Sequence, residues 1–347
     1  MKYFKESYLV TIIGLLLAFF WGEHVQKGSG LLCVFIASVL SVLEVSLSFD
    51  NAVVNATKLK KMSEVWRHRF ITWGIAIAVF GMRFIFPLLV VAIFANISIV
   101  KVLHIALNDA MQYAHYLHQT HATIVTFGGT FLMMLFLGFF LNPKKEVDWL
   151  PFEKTMKKAP ASKILDTLIV LAMLDVVQMF QPAPIRWSVI YSGLAGIVIY
   201  LLIETISSKL EELEEKREKT ECSNPAKAVV STGFVSFMYL ELIDASFSLD
   251  GVLGAFALSH DIVIITIGLA IGAMFVRSLT IMFVEKETLD NFIYLEHGAH
   301  WAIGLLAVLM LVSTVKEVPE VITGLSGLAL IIASFIASNK YKKLNNQ

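Results

Sequence analysis

Glu44, Ser48, Asp50 and Asn51 fall within the stretch EVSLSFDN (44 to 51), and Glu241, Asp244, Ser248 and Asp250 fall within ELIDASFSLD (241 to 250). Both stretches are embedded in long apolar runs. Carboxylates, hydroxyls and amides are costly at bilayer depth, and where they occur there they mark ion and proton pathways. As a ligand set they are hard oxygens without thiolate or imidazole, which suits Mn²⁺, Ca²⁺ or Mg²⁺ better than zinc or copper.

The two stretches repeat one pattern. EVSLSFDNAV (44 to 53) aligns with DASFSLDGVL (244 to 253), so that Glu44/Asp244, Ser46/Ser246, Ser48/Ser248 and Asp50/Asp250 coincide as acid, hydroxyl, hydroxyl, acid. An internal duplication is the simplest explanation. Arg83 in GMRFIFPLL and Arg277 in MFVRSLTIM each follow their acidic motif by one apolar run, and Gly129 and Gly304 occupy similar places further on. On a regular helix Glu44, Ser48 and Asn51 share a face, as do Glu241, Asp244, Ser248 and Gly251, whereas Asp50 lies about 120° from Glu44. For both acids of a repeat to meet one ligand, the helix must distort near Ser48–Asn51, and Gly251 would ease this in the second copy. A negative cluster in low dielectric needs cationic compensation, which Arg83 and Arg277 would supply between turnovers. The plainer alternative is that the acids only pair with these arginines to tie helices together.

These residues need elements to hold them, and composition says which. The 347 residues are 57% hydrophobic and 16% charged, with a mean hydropathy of +0.72, which predicts an all-α polytopic membrane protein with the lipid bilayer as its surroundings. Lys+Arg and Asp+Glu balance at 28 each, which argues against a nucleic-acid partner. Two cysteines, Cys33 and Cys222, make no disulfide framework. Runs long enough to span hydrocarbon fall near 8–22, 30–56, 70–97, 122–141, 164–181, 187–205, 228–257, 262–284, 298–315 and 320–338, which predicts about ten helices, with eight to ten as the range. The first run is read as a retained helix, since no good cleavage site follows it. Basic residues after runs two, four and ten fall on the side of Lys2 and Lys5, which predicts cytoplasmic N- and C-termini in a bacterial inner membrane.

Five runs per half make the second half cross in the opposite sense, giving two inverted-topology repeats, 1–183 and 184–347, as in secondary transporters. The charged segment within 206–225, with KLEELEEKREKTE at its centre (209 to 221), reads as a solvated cytoplasmic helix. It is also the natural docking surface for a membrane partner or for a second copy of the chain.

Other candidates are weaker. His115, His118 and His121 at i, i+3, i+6 could gather a second metal, although ordinary interfacial histidines fit the pattern as well. EHGAH (296 to 300) places Glu296 and His300 where an inner gate or proton path would lie, but its order is not that of a metalloprotease helix. No Walker loop, dinucleotide fingerprint or G-x-S-x-G elbow occurs, so neither an enzyme nor an organic cofactor is expected. An intramembrane protease using Asp50 and Asp250 is disfavoured, because two nearby arginines would hold both carboxylates ionised.

LEVSLSFDNAVV together with YLELIDASFSLDGVLGAFA resembles the TerC-like integral membrane family of the LysE-type transporter superfamily, in particular a branch described as a domain of unknown function. The resemblance covers about 30 to 338. It implies export of Mn²⁺, in some members Ca²⁺, or tellurite resistance, with the acidic ion site on Glu44, Asp50, Asn51, Asp244 and Asp250 and with Glu241 nearby. The chain departs from the compact members in its extra spans and its histidine-bearing segment. The expectation is therefore a divalent-cation exporter. A membrane scaffold that supplies metal to secreted enzymes and an organic-solute exporter are the alternatives.

Overall fold

The computed structural model describes the chain apart from residues 1, 63, 143–146, 158–162, 219–236, 239, 242–243, 245–254, 256–257, 260, 287–291, 317 and 346–347. The described residues are helical, with no strand among them. In chain order the helices are α1 (Lys5–Val25), α2 (Gly30–Leu47), α3 (Phe49–Lys61), α4 (Glu64–Ala76), a π-helical stretch (Ile77–Ile85), α5 (Phe86–Phe94) and α6 (Ile99–Asn108). They continue with α7 (Ala110–Phe140), α8 (Glu153–Met156), α9 (Lys163–Met179), α10 (Ala183–Glu218), α11 (Ile262–Glu285), α12 (Leu295–Ser313) and α13 (Glu320–Asn345).

Apolar composition makes these segments helical, because a buried or lipid-facing backbone must satisfy its own hydrogen bonds. Side chains set several starts. Ser98 Oγ accepts from Lys101 N at α6, Asp109 Oδ1 from Gln112 N at α7, and Asp261 Oδ1 from Val263 N at α11.

Among the described residues six helices are long and apolar enough to cross a membrane: Lys5–Val25, Gly30–Leu47, Met111–Phe140, Ala183–Ile206, Ile262–Glu285 and Leu295–Ser313. The expected ten are therefore not borne out. The run 30–56 is divided at Ser48, and 70–97 is divided among α4, the π-helical stretch and α5. Run 164–181 is the 17-residue α9, and most of 228–257 lies outside the described residues. The histidine-bearing segment is helical: α6 followed by the first turns of α7. The charged segment is not a separate helix up to Glu218. It continues α10, which runs unbroken for 36 residues.

α7 and α11 form the centre and α1 lies at the periphery, with Leu9, Ile12, Leu16 and Phe20 exposed for hydrocarbon. Close pairs fix the helix directions. Gly268 meets Leu40 and Gly272 meets Glu44, so numbers rise together and α2 runs parallel to α11. α7 and α10 are parallel by the same test, with Ser192 against Thr123 and Gly138 against Tyr200. α7 and α12 are antiparallel, with Gly129 packed on Leu311 and Gly304 on Phe136. α1 is antiparallel to α11, with Ser7 bonded to Ser278 and Gly14 packed on Ile267.

The pairs also sort the two ends of the bundle. Glu6 with Arg277, Glu153 with His297, and Tyr294 with Ser338 lie at one end, which we call the basal end. Trp21 with Asp261, and Gln181 with Thr314, lie at the other.

Candidate functional site

The break between α2 and α3 is a single residue. Ser48 leaves helical geometry (φ −103°, ψ 15°), yet its N–H still donates to Glu44 O and its carbonyl accepts from Ala52 N. The helical ladder thus remains bonded across the break. The break falls inside the polar motif, where a distortion was expected. On the facing element, Arg83 belongs to the π-helical stretch, a wider winding that often accompanies function.

These two irregular segments meet around one guanidinium. Arg83 is 1% exposed. Its Nη2 donates to Glu44 Oε1, and its Nη1 donates to Asp244 Oδ2 at 3.1 Å. Ser48 Oγ donates to Glu44 Oε1 at 2.9 Å, and Asn51 Nδ2 donates to Asp244 Oδ1 at 2.5 Å. Arg83 Nε meets no acceptor among the described residues. The structure therefore gathers Glu44, Ser48, Asn51, Arg83 and Asp244, drawing acids from both copies of the repeated motif onto one cation. Glu241 is buried beside them. The Asp50 side chain, Ser248 and Asp250 lie outside the described residues.

Two carboxylates on one arginine leave a surplus negative charge in a low-dielectric setting, and such a surplus calls for a further cation or a proton. Arg277 has a described partner elsewhere. Its Nη1 is 2.9 Å from Glu6 Oε2, so the first helix supplies its partner, although Arg277 lines the same cavity as Arg83 and Asp244.

The remaining candidates are spread out. His115 and His118 are exposed on α7, His115 bonding Gln119, and His121 is half-buried. Among the described residues no three His, Cys, Asp or Glu side chains are gathered to hold a metal. His300 Nδ1 bonds the Glu296 carbonyl, not its carboxylate, and its ring stacks on Phe139 at 3.7 Å.

The acid that meets a histidine there is Glu153, from the short α8. It is fully buried, 2.9 Å from His297 Nδ1, and it accepts from Trp301 Nε1 and Trp149 N. No spacing in the sequence links Glu153 to His297, 144 positions away. Two other participants were legible and missed. Asn55 continues the Glu44–Ser48–Asn51 face by one turn, and Gly268-x-x-x-Gly272 is a small-residue pattern for close helix packing. Gly272 is where α11 lies against Glu44.

No curated protein and no solved structure matches the chain. Residues 49–345 match a family described as "Protein of unknown function (DUF475)", a match that assigns neither TerC nor LysE kinship. The six apolar spans and this match over most of the sequence make the chain a member of the DUF475 family of membrane proteins.

Proposed function

We propose that the chain is an integral membrane transporter that exports a divalent metal cation, Mn²⁺ foremost and Ca²⁺ next. The observation that carries this reading is Arg83, buried between Glu44 and Asp244, one acid from each copy of the motif. A cation entering among Glu44, Asp50, Asn51, Asp244 and Asp250, with Ser48 and Ser248 assisting, would take over the role of the guanidinium, and its departure would return the acids to Arg83. The site would then be electrostatically closed when empty.

Reciprocal packing supports two inverted repeats. A shift of 175 residues carries Gly129 onto Gly304 and Phe136 onto Leu311, and the contacts are Gly129 with Leu311 and Gly304 with Phe136. Such an exchange of partners is what a two-fold axis produces. Because α7 and α12 are antiparallel, the axis lies across the helices, in the plane of the membrane. Under this reading both termini and the basal end are cytoplasmic.

The test is the melting temperature of detergent-purified protein with Mn²⁺, Ca²⁺, Mg²⁺ or Zn²⁺. Binding to the folded state adds about 2.7 kcal/mol at a hundredfold excess over Kd. Stabilisation by Mn²⁺ that disappears in Asp244→Asn and in the Asp50→Asn/Asp250→Asn pair is expected, with matching loss of Mn²⁺ flux in proteoliposomes. Wild-type protein that no ion stabilises would overturn the reading and favour a scaffold that docks through the charged end of α10.

A further inference from the structure

A cavity of about 30 Å³ lies beside the Arg83 cluster, lined by Asn55, Arg83, Glu241, Asp244, Arg277 and Thr280 among others. It has room for roughly two waters, or for a small ion with part of its hydration shell. Its place along the helices is toward the basal end: α3 leads from Ser48 past Asn51 to Asn55, and Arg277 and Thr280 follow Gly272 on the parallel α11.

Besides the two guanidiniums and the apolar Phe70, Ala273 and Val276, the cavity wall carries acceptors. Asn55 is 5% exposed, and among the described residues its Oδ1 has no hydrogen-bond partner. Glu241 is equally buried, and among the described residues no hydrogen bond or ion pair reaches its carboxylate. Thr280 Oγ1 donates its hydrogen to Val276 O at 3.0 Å, so only lone pairs remain to face the cavity. Asp244 borders both the cavity and the arginine cluster. Of the two cations present, Arg83 is held by Glu44 and Asp244, and Arg277 is held by Glu6.

An unpaired buried acceptor costs about 1–3 kcal/mol. Two such acceptors, Asn55 Oδ1 and the Glu241 carboxylate, stand beside the already bonded Asp244 carboxylate, and together they suit a positively charged guest. We propose that Asn55, Glu241, Asp244 and Thr280 form a staging site, in which a hard divalent cation rests on the basal side of Arg83 before it reaches Glu44. The inference rests on the transport reading and adds to it a second ion position, with Asn55 and Glu241 as its determinants. The ion keeps one or two waters there, and it sheds them only when Arg83 yields.

The experiment is calorimetric titration of the detergent-purified full chain with Mn²⁺, comparing wild type with Asn55→Leu, Glu241→Gln and Asn55→Asp. Asn55→Leu and Glu241→Gln are each expected to weaken Mn²⁺ binding at least tenfold. The metal-free melting temperature should hold or rise, since among the described residues neither group has a hydrogen-bond partner to lose. Asn55→Asp restores an acceptor oxygen and should bind at least as tightly as wild type. If wild type binds Mn²⁺ and the first two variants bind it equally well, the staging site is overturned while the transport reading stands. If wild type binds no Mn²⁺, both fall.

Discussion

Arg83 does the work of two partners. A guanidinium with five donors in a fixed plane can serve two carboxylates at once, which a lysine could not do with the same geometry. Arg83→Gln would leave the buried Glu44 and the half-buried Asp244 uncompensated. Breaking a buried pair in this way costs roughly 3–5 kcal/mol. The variant should therefore melt well below wild type in chelator, and Mn²⁺ should recover more stability in it than in wild type, because the competing charge is gone. An equal Mn²⁺ shift in both proteins would mean that ion and arginine do not share the acids.

A different lesson comes from Glu153. Its carboxylate closes the basal end by joining α8 to His297 and Trp301. Glu153→Ala should lower stability by about 1–3 kcal/mol for the buried donors it strands. In the sequence this glutamate is one polar residue in a polar loop, and only the packing of α7 against α12 brings it to a histidine.

Among elements, the close approach of α11 to α2 is one of the tightest contacts. A β-carbon at Gly272 would collide with the Glu44 side chain, and one at Gly268 would lie 2.6 Å from Leu40 Cβ. Gly272→Ala should cost about 1–3 kcal/mol and displace Glu44. At Gly81 the same substitution meets Ile77 no closer than 3.4 Å and should be nearly neutral in thermal unfolding.

Much at this scale was legible. Hydropathy located the apolar helices, and the spacing of Glu44 and Asp50 called for a distortion near Ser48–Asn51 if both were to meet one ligand; the helix does break at Ser48. The π-helical winding around Arg83 had one legible signal that was passed over: Pro87 lacks the N–H that would bond the Arg83 carbonyl in a regular helix. The partner of Arg277 was not legible, because Glu6 is an ordinary exposed acid near the chain start that only the antiparallel pairing of α1 and α11 delivers.

For the whole molecule, alternation of helix direction is the testable property. In a variant lacking Cys33 and Cys222, single cysteines at Lys27, Pro182 and Lys316 should react with an impermeant reagent from one side of the membrane. Cysteines at Lys157, Lys286 and Tyr341 should react only from the other. Labelling of Lys157 and Pro182 from the same side would break the assignment of ends. Composition announced a membrane protein at once, but the number of crossings depended on where long apolar runs divide, and a hydropathy profile does not resolve a one-residue break.

α10 carries a consequence of its own. At 1.5 Å per residue its 36 residues form a rod of about 54 Å, against a hydrocarbon core of about 30 Å. Its first half packs beside α7, so its last turns stand clear of the lipid. A tilt of about 10° around its buried end would sweep the tip through about 9 Å, given that length. The charged tip is in effect a pointer that magnifies rocking of the core. A spin label near Glu218, paired with one on α8, would read any such motion as a change in distance.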